Sequence, residues 1–134
     1  VLLEAQPDVY ELMDLKIGKC RLCVAAKNGY IENRDRALRV ATKYPKVARD
    51  HYASINREIE IIKLNGSIEL APILGLSDVI LDVVESGKTL QENDLSVLET
   101  VHPVTARLIA NRSSYMFKEE LIREMVSKLR EVVV

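Results

Sequence analysis

Hydrophobic positions along the chain change period repeatedly, from two to between three and four and back, and the changes divide it into strands and helices. Cys20 to Ala26 reads as a strand, stopped by the turn residues Lys27, Asn28 and Gly29. A polar stretch from Glu32 to Arg36 leads into a short strand over Leu38 to Thr42. Val47, Ala48, Tyr52 and Ile55 recur at helical spacing, which predicts a helix over Pro45 to Arg57 with proline in its first turn. Glu58 to Leu64 alternates as a strand. Asn65, Gly66 and Ser67 end it, and Ser67 is the expected N-cap of a helix over Ile68 to Leu74. A strand from Val79 to Val84 and a short helix after the turn Ser86 to Thr89 complete the middle of the chain.

The flanks read differently. Val1 to Ala5 resembles a helix end or linker, closed by Gln6, Pro7 and Asp8, and Val9 to Ile17 is expected to be an extended crossing segment. Leu98 to Ala110 carries β-branched residues and reads as one or two strands. Ser113 or Ser114 is expected to cap a long amphipathic helix whose stripe is Leu121, Ile122, Met125, Val126, Leu129 and Val132. This alternation is that of parallel α/β units. Residues 19–95 contain a closed alternation, whereas 1–18 and 96–134 read as pieces of another unit that need outside partners.

With 134 residues, 48% of them hydrophobic, the chain can build one modest core. Nineteen basic against twenty acidic residues leave a net charge of −1, so no global field favours nucleic acid or an acidic membrane. No apolar run approaches the ~20 residues of a membrane span. The first residues lack a basic region and a cleavage site, so they do not read as a signal peptide, and a cytoplasmic location is the expectation. Position 1 is valine and not methionine, which points to a chain that begins partway through a longer protein.

The richest chemistry lies between Asp78 and Leu90. The apolar run Val79 to Val84 contains Asp82 and is followed at once by Glu85, and burying charge there is costly without a partner. Ser86, Gly87, Lys88 and Thr89 then turn the chain into a helix, a layout that gathers unpaired N–H groups where they can hold a phosphate. In open parallel sheets ligands bind beyond the carboxyl ends of strands. The bland alternative is a plain capping box from Thr89 to Glu92, which leaves the two acids unexplained. Asp82, Val83, Val84, Glu85, Ser86, Gly87, Lys88 and Thr89 are therefore the candidate site for a phosphoribosyl diphosphate.

Other features carry less. Arg34, Arg36, Arg39, Lys43, Lys46 and Arg49 form a basic stretch that suits a solvated surface, with Lys43 the member best placed to line a cleft, because it stands where a strand meets a helix start. No aromatic residues are interleaved with it to suggest nucleic acid. Cys20 and Cys23 would face opposite sides of a strand, which suits neither a shared metal nor a disulfide, and core packing is expected. His51 and His102 stand apart from any recognisable nucleophile, so they are read as surface or hydrogen-bonded histidines.

The run Glu69-Leu70-Ala71-Pro72-Ile73-Leu74-Gly75, continuing through Asp82 to Ser86-Gly87-Lys88-Thr89-Leu90, resembles the characteristic motif of the ATP phosphoribosyltransferases without a gap. Ala41 to Pro45 and Leu64 to Ile68 agree with it as well. The resemblance implies a periplasmic-binding-protein-like two-domain α/β fold, present here as one complete domain plus the C-terminal part of the other. It implies transfer of a phosphoribosyl group from phosphoribosyl diphosphate to N1 of ATP, the first step of histidine biosynthesis, with Mg2+ as cofactor and no covalent nucleophile. By the same resemblance the turn holds the 5-phosphate, Asp82 and Glu85 face the ribose, and Glu69 joins Lys43 as a possible cleft-lining residue. Metal ligands are not identified. The family's N-terminal ATP- and pyrophosphate-binding segments would precede Val1, and a histidine-binding third domain is missing. The short form, a homo-oligomer with a regulatory subunit similar to histidyl-tRNA synthetase, is the closest pattern.

Two other readings stand beside this one. A non-catalytic periplasmic-binding-like domain that senses a phosphorylated metabolite would use the same loop. A phosphoribosyltransferase acting on a free base normally has adjacent acids, whereas two valines separate Asp82 from Glu85.

Overall fold

A computed structural model describes residues 1–133 and divides the chain into two compact units, one of residues 20–103 and one of residues 1–19 with 104–134. In the contiguous unit, β2 (Cys20–Lys27), β3 (Leu38–Thr42), β4 (Ile59–Lys63), β5 (Val79–Val84) and β6 (Leu95–Val104) form one sheet in the order β4-β3-β5-β2-β6. β3 is parallel to both β4 and β5, so the β3–helix–β4 and β4–helix–β5 crossovers behave as the alternation predicts. β2 departs from it and runs antiparallel to β5, with Cys23 opposite Asp82. Its connection to β3 is a loop rather than a helix, so nothing forces the two strands into a parallel crossover.

Strand alternation distributes the core over two faces. Cys23, Ala25, Ala41, Ile80 and Val84 gather on one face under α3 (Leu70–Ile73) and α4 (Lys88–Glu92), with Ile68, Ala71, Leu90 and Leu95 closing the cluster. On the other face α2 (Pro45–Ser54) sets the buried Ala48 and Tyr52 against β3 and β4. Val40, Ala41, Thr42 and Leu81 have no exposed surface, which identifies the β3–β5 pair as the centre of the unit.

Several local expectations needed correction. α2 stops at Ser54 rather than Arg57 because Asn56 takes a left-handed conformation, with φ of 55°. Ser67 is also left-handed and makes no cap; α3 starts only at Leu70, after Glu69. The cap of the last helical region is Asn111, whose side chain accepts from the Ser114 N–H. That region is split into α5 (Arg112–Phe117) and α6 (Glu119–Val132) at Lys118.

The second unit pairs β1 (Val9–Asp14) antiparallel with β7 (Arg107–Asn111), Val9 opposite Asn111 and Asp14 opposite Arg107, with an irregularity between Glu11 and Met13. α1 (Leu2–Ala5), α5 and α6 accompany them. Arg112 pairs with Asp8 and lies over the Tyr10 ring, which in turn meets Tyr115. None of this unit's described residues is buried, and Leu121 and Met125 of the apolar stripe are exposed. A two-stranded sheet without a core is marginal alone. Among the described residues no helix is long and apolar enough to cross a membrane.

Two of the basic residues clamp the far end of the sheet. The Asp78 carboxylate, almost fully buried just before β5, accepts from the Arg39 backbone N–H, from Arg39 Nη2 and from Arg36 Nη2, and Arg39 Nη1 reaches the Gly75 carbonyl. Burial alone would raise the Asp78 pKa, but the bonds from Arg39 and Arg36 outweigh it and hold it below the ordinary 3.8. The ionised carboxylate thus contributes stability that is complete above that value and lost as pH falls through the lowered folded pKa. In urea unfolding, Asp78→Asn should be less stable than the parent at pH 6, with the gap narrowing as pH falls below 3.8. A gap that does not change with pH would show the charge to be unimportant.

Candidate phosphate-binding site at the end of the central strands

The register of β3 on β5 builds the site. Thr42 stands opposite Leu81, so the next position along the pair brings Lys43 beside Asp82. Both point, by alternation, to the face of Ala41 and Ile80, the face covered by α3. Glu69, at the N-cap of α3, lies within electrostatic reach of Asp82, as does Lys43. Three residues singled out separately in the sequence therefore converge.

Thr42 secures this corner, and nothing in the sequence reading assigned it a role. Its buried hydroxyl donates to the Leu81 carbonyl at 2.8 Å and accepts from the Tyr44 N–H at 2.9 Å. It ties the strand pair to the start of α2 and sets the direction in which Lys43 leaves. A threonine two residues before a helix N-cap was the available signal.

Asp82 is partly buried, and its Oδ1 accepts the Val83 N–H at 2.8 Å. Its pKa is raised, first by burial and then by the charge of Glu69, while the Val83 N–H and Lys43 act in the opposite direction. Val84 and Leu90 are buried in the core cluster and anchor the two sides of the turn. Between them Glu85, Ser86, Lys88 and Thr89 are exposed, so the bend is open rather than sealed in hydrocarbon.

Gly87 is the N-cap of α4, with φ of 79° and ψ of 1°, a left-handed conformation that side chains other than glycine's resist. A Cβ there would meet nothing within 4 Å, so the requirement is one of backbone shape alone. The first helical hydrogen bond runs from the Gln91 N–H to the Gly87 carbonyl. The earlier amides of α4 have no partner of that kind, and the Lys88 N–H makes only a long 3.4 Å contact with Ser86 Oγ. Thr89 lies inside α4, so a capping box does not account for it. Its carbonyl accepts from Asn93 Nδ2.

The remaining candidates fall elsewhere. Arg36 and Arg39 serve Asp78 at the opposite end of the strands, and Lys46 pairs with Asp50. Both cysteines are free; Cys23 is buried, as core packing predicts, whereas Cys20 is only half-buried. His51 meets Glu99, and His102 Nδ1 lies 2.6 Å from the Pro103 carbonyl oxygen.

Architecturally, the chain has the α/β fold of the periplasmic binding proteins: it superposes on holo arginine-binding protein from Thermotoga maritima with a TM-score of 0.61 at 12% identity, covering 92% of this chain and 56% of that one. At that identity the likeness concerns fold alone. The family model described as HisG: ATP phosphoribosyltransferase matches residues 1–131, and the chain belongs to that family. It is 58% identical over 134 residues to the ATP phosphoribosyltransferase of Brachyspira hyodysenteriae, covering 99% of this chain and 65% of that protein. The Caldanaerobacter subterraneus ATP phosphoribosyltransferase is 50% identical over 137 residues, with 99% and 63% covered. Among solved structures, the ATP phosphoribosyl transferase (HisG:HisZ) complex from T. maritima matches with a TM-score of 0.86 and 35% identity, over 98% of this chain and 65% of that chain. The chain therefore spans somewhat under two thirds of the length of these relatives. Membership in this family disfavours both the sensor-domain reading and the free-base transferase.

The raised pKa of Asp82 has a consequence for the unliganded protein. Because folding disfavours the ionised form, stability falls as pH rises from the ordinary 3.8 through the folded pKa. Asp82→Asn should therefore gain stability relative to the parent over that interval and keep the gain at neutral pH in urea unfolding. A variant that loses stability at neutral pH would contradict this assignment.

Proposed function

We propose that this chain carries the phosphoribosyl diphosphate-binding part of an ATP phosphoribosyltransferase catalytic subunit, which joins the phosphoribosyl group to N1 of ATP and releases pyrophosphate at the entry to histidine biosynthesis. The observation that carries the proposal is the meeting of Lys43, Asp82 and Glu69 beside an open turn whose glycine is left-handed. Family membership supports the reading.

The amides from Ser86 to Thr89 and the Thr89 hydroxyl hold the 5-phosphate. Asp82, and Glu85 from the exposed edge, accept hydrogen bonds from ribose hydroxyls. The adenine N1 attacks the anomeric carbon as pyrophosphate departs, with inversion and an oxocarbenium-like transition state. Catalysis of such a step rests on positioning and on stabilising developing charge, with no need for a covalent nucleophile. Lys43 lies close enough to Asp82 to favour its ionised form, which is the form that accepts from a hydroxyl.

Magnesium fits this site only in part. Among the described residues no group of three or more His, Cys, Asp or Glu side chains is arranged to hold a metal. Asp82 and Glu69 provide two carboxylates, and magnesium is often held by one or two carboxylates together with substrate phosphates. When bound, it would neutralise charge on the leaving pyrophosphate. ATP contacts are assigned to the part of the relatives that this chain does not span. A homo-oligomer, a HisZ-like regulatory subunit similar to histidyl-tRNA synthetase and a cytoplasmic location complete the reading; the T. maritima HisG:HisZ complex supports the partner.

In a protein that joins this chain to the remaining third of its relatives, phosphoribosyl-ATP formation should require both substrates and magnesium, with turnover far above that of the 134-residue chain alone. Equal activity without the added segment would overturn the division of labour. Calorimetry on the same protein should show Thr89→Ala weakening phosphoribosyl diphosphate about tenfold, the size of one lost charge-assisted bond. Adding Gly87→Val should remove most of the remaining affinity. Unchanged binding in the double variant would rule out the turn as the phosphate site.

A further inference from the structure

The opposite face of the sheet contains a cavity that the phosphoribosyl chemistry does not use. It measures about 210 Å3, smaller than the roughly 300–1,000 Å3 of sites for drug-sized ligands, and so suits a molecule with a single ring. Val24, Leu38 and Val79 make an apolar floor, with Tyr52 of α2, Tyr30 and Glu99 around it. Leu38 and Val79 are the first residues of β3 and β5, so the cavity sits a strand's length from the turn at Gly87.

Two polar groups at this cavity are uncommitted. Tyr52 is 4% exposed as a residue, and among the described residues its hydroxyl, which is not one of the fully enclosed unpartnered atoms, makes no hydrogen bond and stays accessible at the cavity. Glu99 meets His51 Nε2 at 2.6 Å through one oxygen, and among the described residues its other oxygen has no partner. Of the two rim arginines, the inner one is already engaged. Arg57 donates to Glu32 and to the carbonyls of Asn33 and Arg36, whereas Arg34 approaches Glu32 only to 3.5 Å from a largely exposed side chain. The field at the phenol is correspondingly negative: burial first, then Glu99 and Glu32, raise the Tyr52 pKa and keep it a neutral hydroxyl.

We infer that this cavity binds a small amphipathic cation, an ammonium carried on one apolar ring, with the ring on Val24, Leu38 and Val79 and the ammonium donating to Glu99 and the Tyr52 hydroxyl. An anion placed on the same floor would meet the Glu99 carboxylate, and a neutral ring forgoes it. Because the ligand binds the folded unit alone, it also stabilises that unit.

Benzylamine, protonated at pH 7, is a suitable probe, with benzyl alcohol and benzoate as neutral and anionic counterparts of the same ring. Titrated into the 15N-labelled chain, benzylamine should give saturable NMR shifts confined to residues around Tyr30, Tyr52 and Glu99. Its affinity should exceed that of benzyl alcohol about tenfold, in line with one charged hydrogen bond, and benzoate should produce no saturable shift. Glu99→Gln, at a partly exposed position, should lower benzylamine to the level of the alcohol, and Tyr52→Phe should weaken it severalfold while the ring keeps its packing. Equal shifts from all three probes, shifts centred elsewhere, or indifference to Glu99→Gln would overturn the assignment. The phosphoribosyl diphosphate affinity of the longer protein is a separate measurement, so failure here leaves the phosphate site untouched.

Discussion

The parallel pairing of β3 with β5 is the constraint from which the rest follows. Both strands are buried at their centre, and Thr42 bonds across the pair to the Leu81 carbonyl. A slip of one residue would exchange the faces of every side chain on the slipped strand. Ile80 would leave the cluster beneath α3, and Asp82 would turn away from Lys43 and Glu69. Hydrophobic burial in the strand interior thus decides where the charged groups at the strand ends come to rest.

The two ends of that pair treat their carboxylates in opposite ways. Asp78, at the start of β5, is enclosed by two arginine side chains and one backbone N–H and is held ionised. Asp82, only four positions later, has one backbone donor and a like-charged neighbour, and its ionisation is resisted. The first arrangement is what a structural clamp needs. The second leaves a carboxylate short of partners next to an open bend, which is the condition of a group that completes its bonding with a ligand.

Much of this was legible in the residues. The spans of β3 and β5 agree residue for residue with the reading, because each is an apolar run bounded by turn formers. Asp82, Gly87 and Lys43 were each identifiable from local context, and Glu69 from the family resemblance. Their meeting was not, since it depends on strand register. The antiparallel direction of β2 was hidden for a related reason: pairing direction is decided between strands and leaves no mark within one. Local misses came from backbone conformations that ordinary residues adopt under tertiary pressure. Ser67 and Asn56 are left-handed without being glycine, and each displaced a predicted helix boundary. The break at Lys118 has no proline or glycine to announce it. The cavity beside Tyr52 escaped because Tyr52 reads as one more apolar position on α2.

The way one unit interrupts the other has a bearing on how the chain assembles. β1 and β7 are separated by the whole of residues 20–103, so their ladder can close only across a long intervening loop. Such closure carries an entropic cost that shrinks once the interrupting segment is compact. The inserted unit has its own core and mainly shorter-range pairings, which favours its earlier formation. The outer ladder then zips last, and its fraying would be the first step when the molecule comes apart.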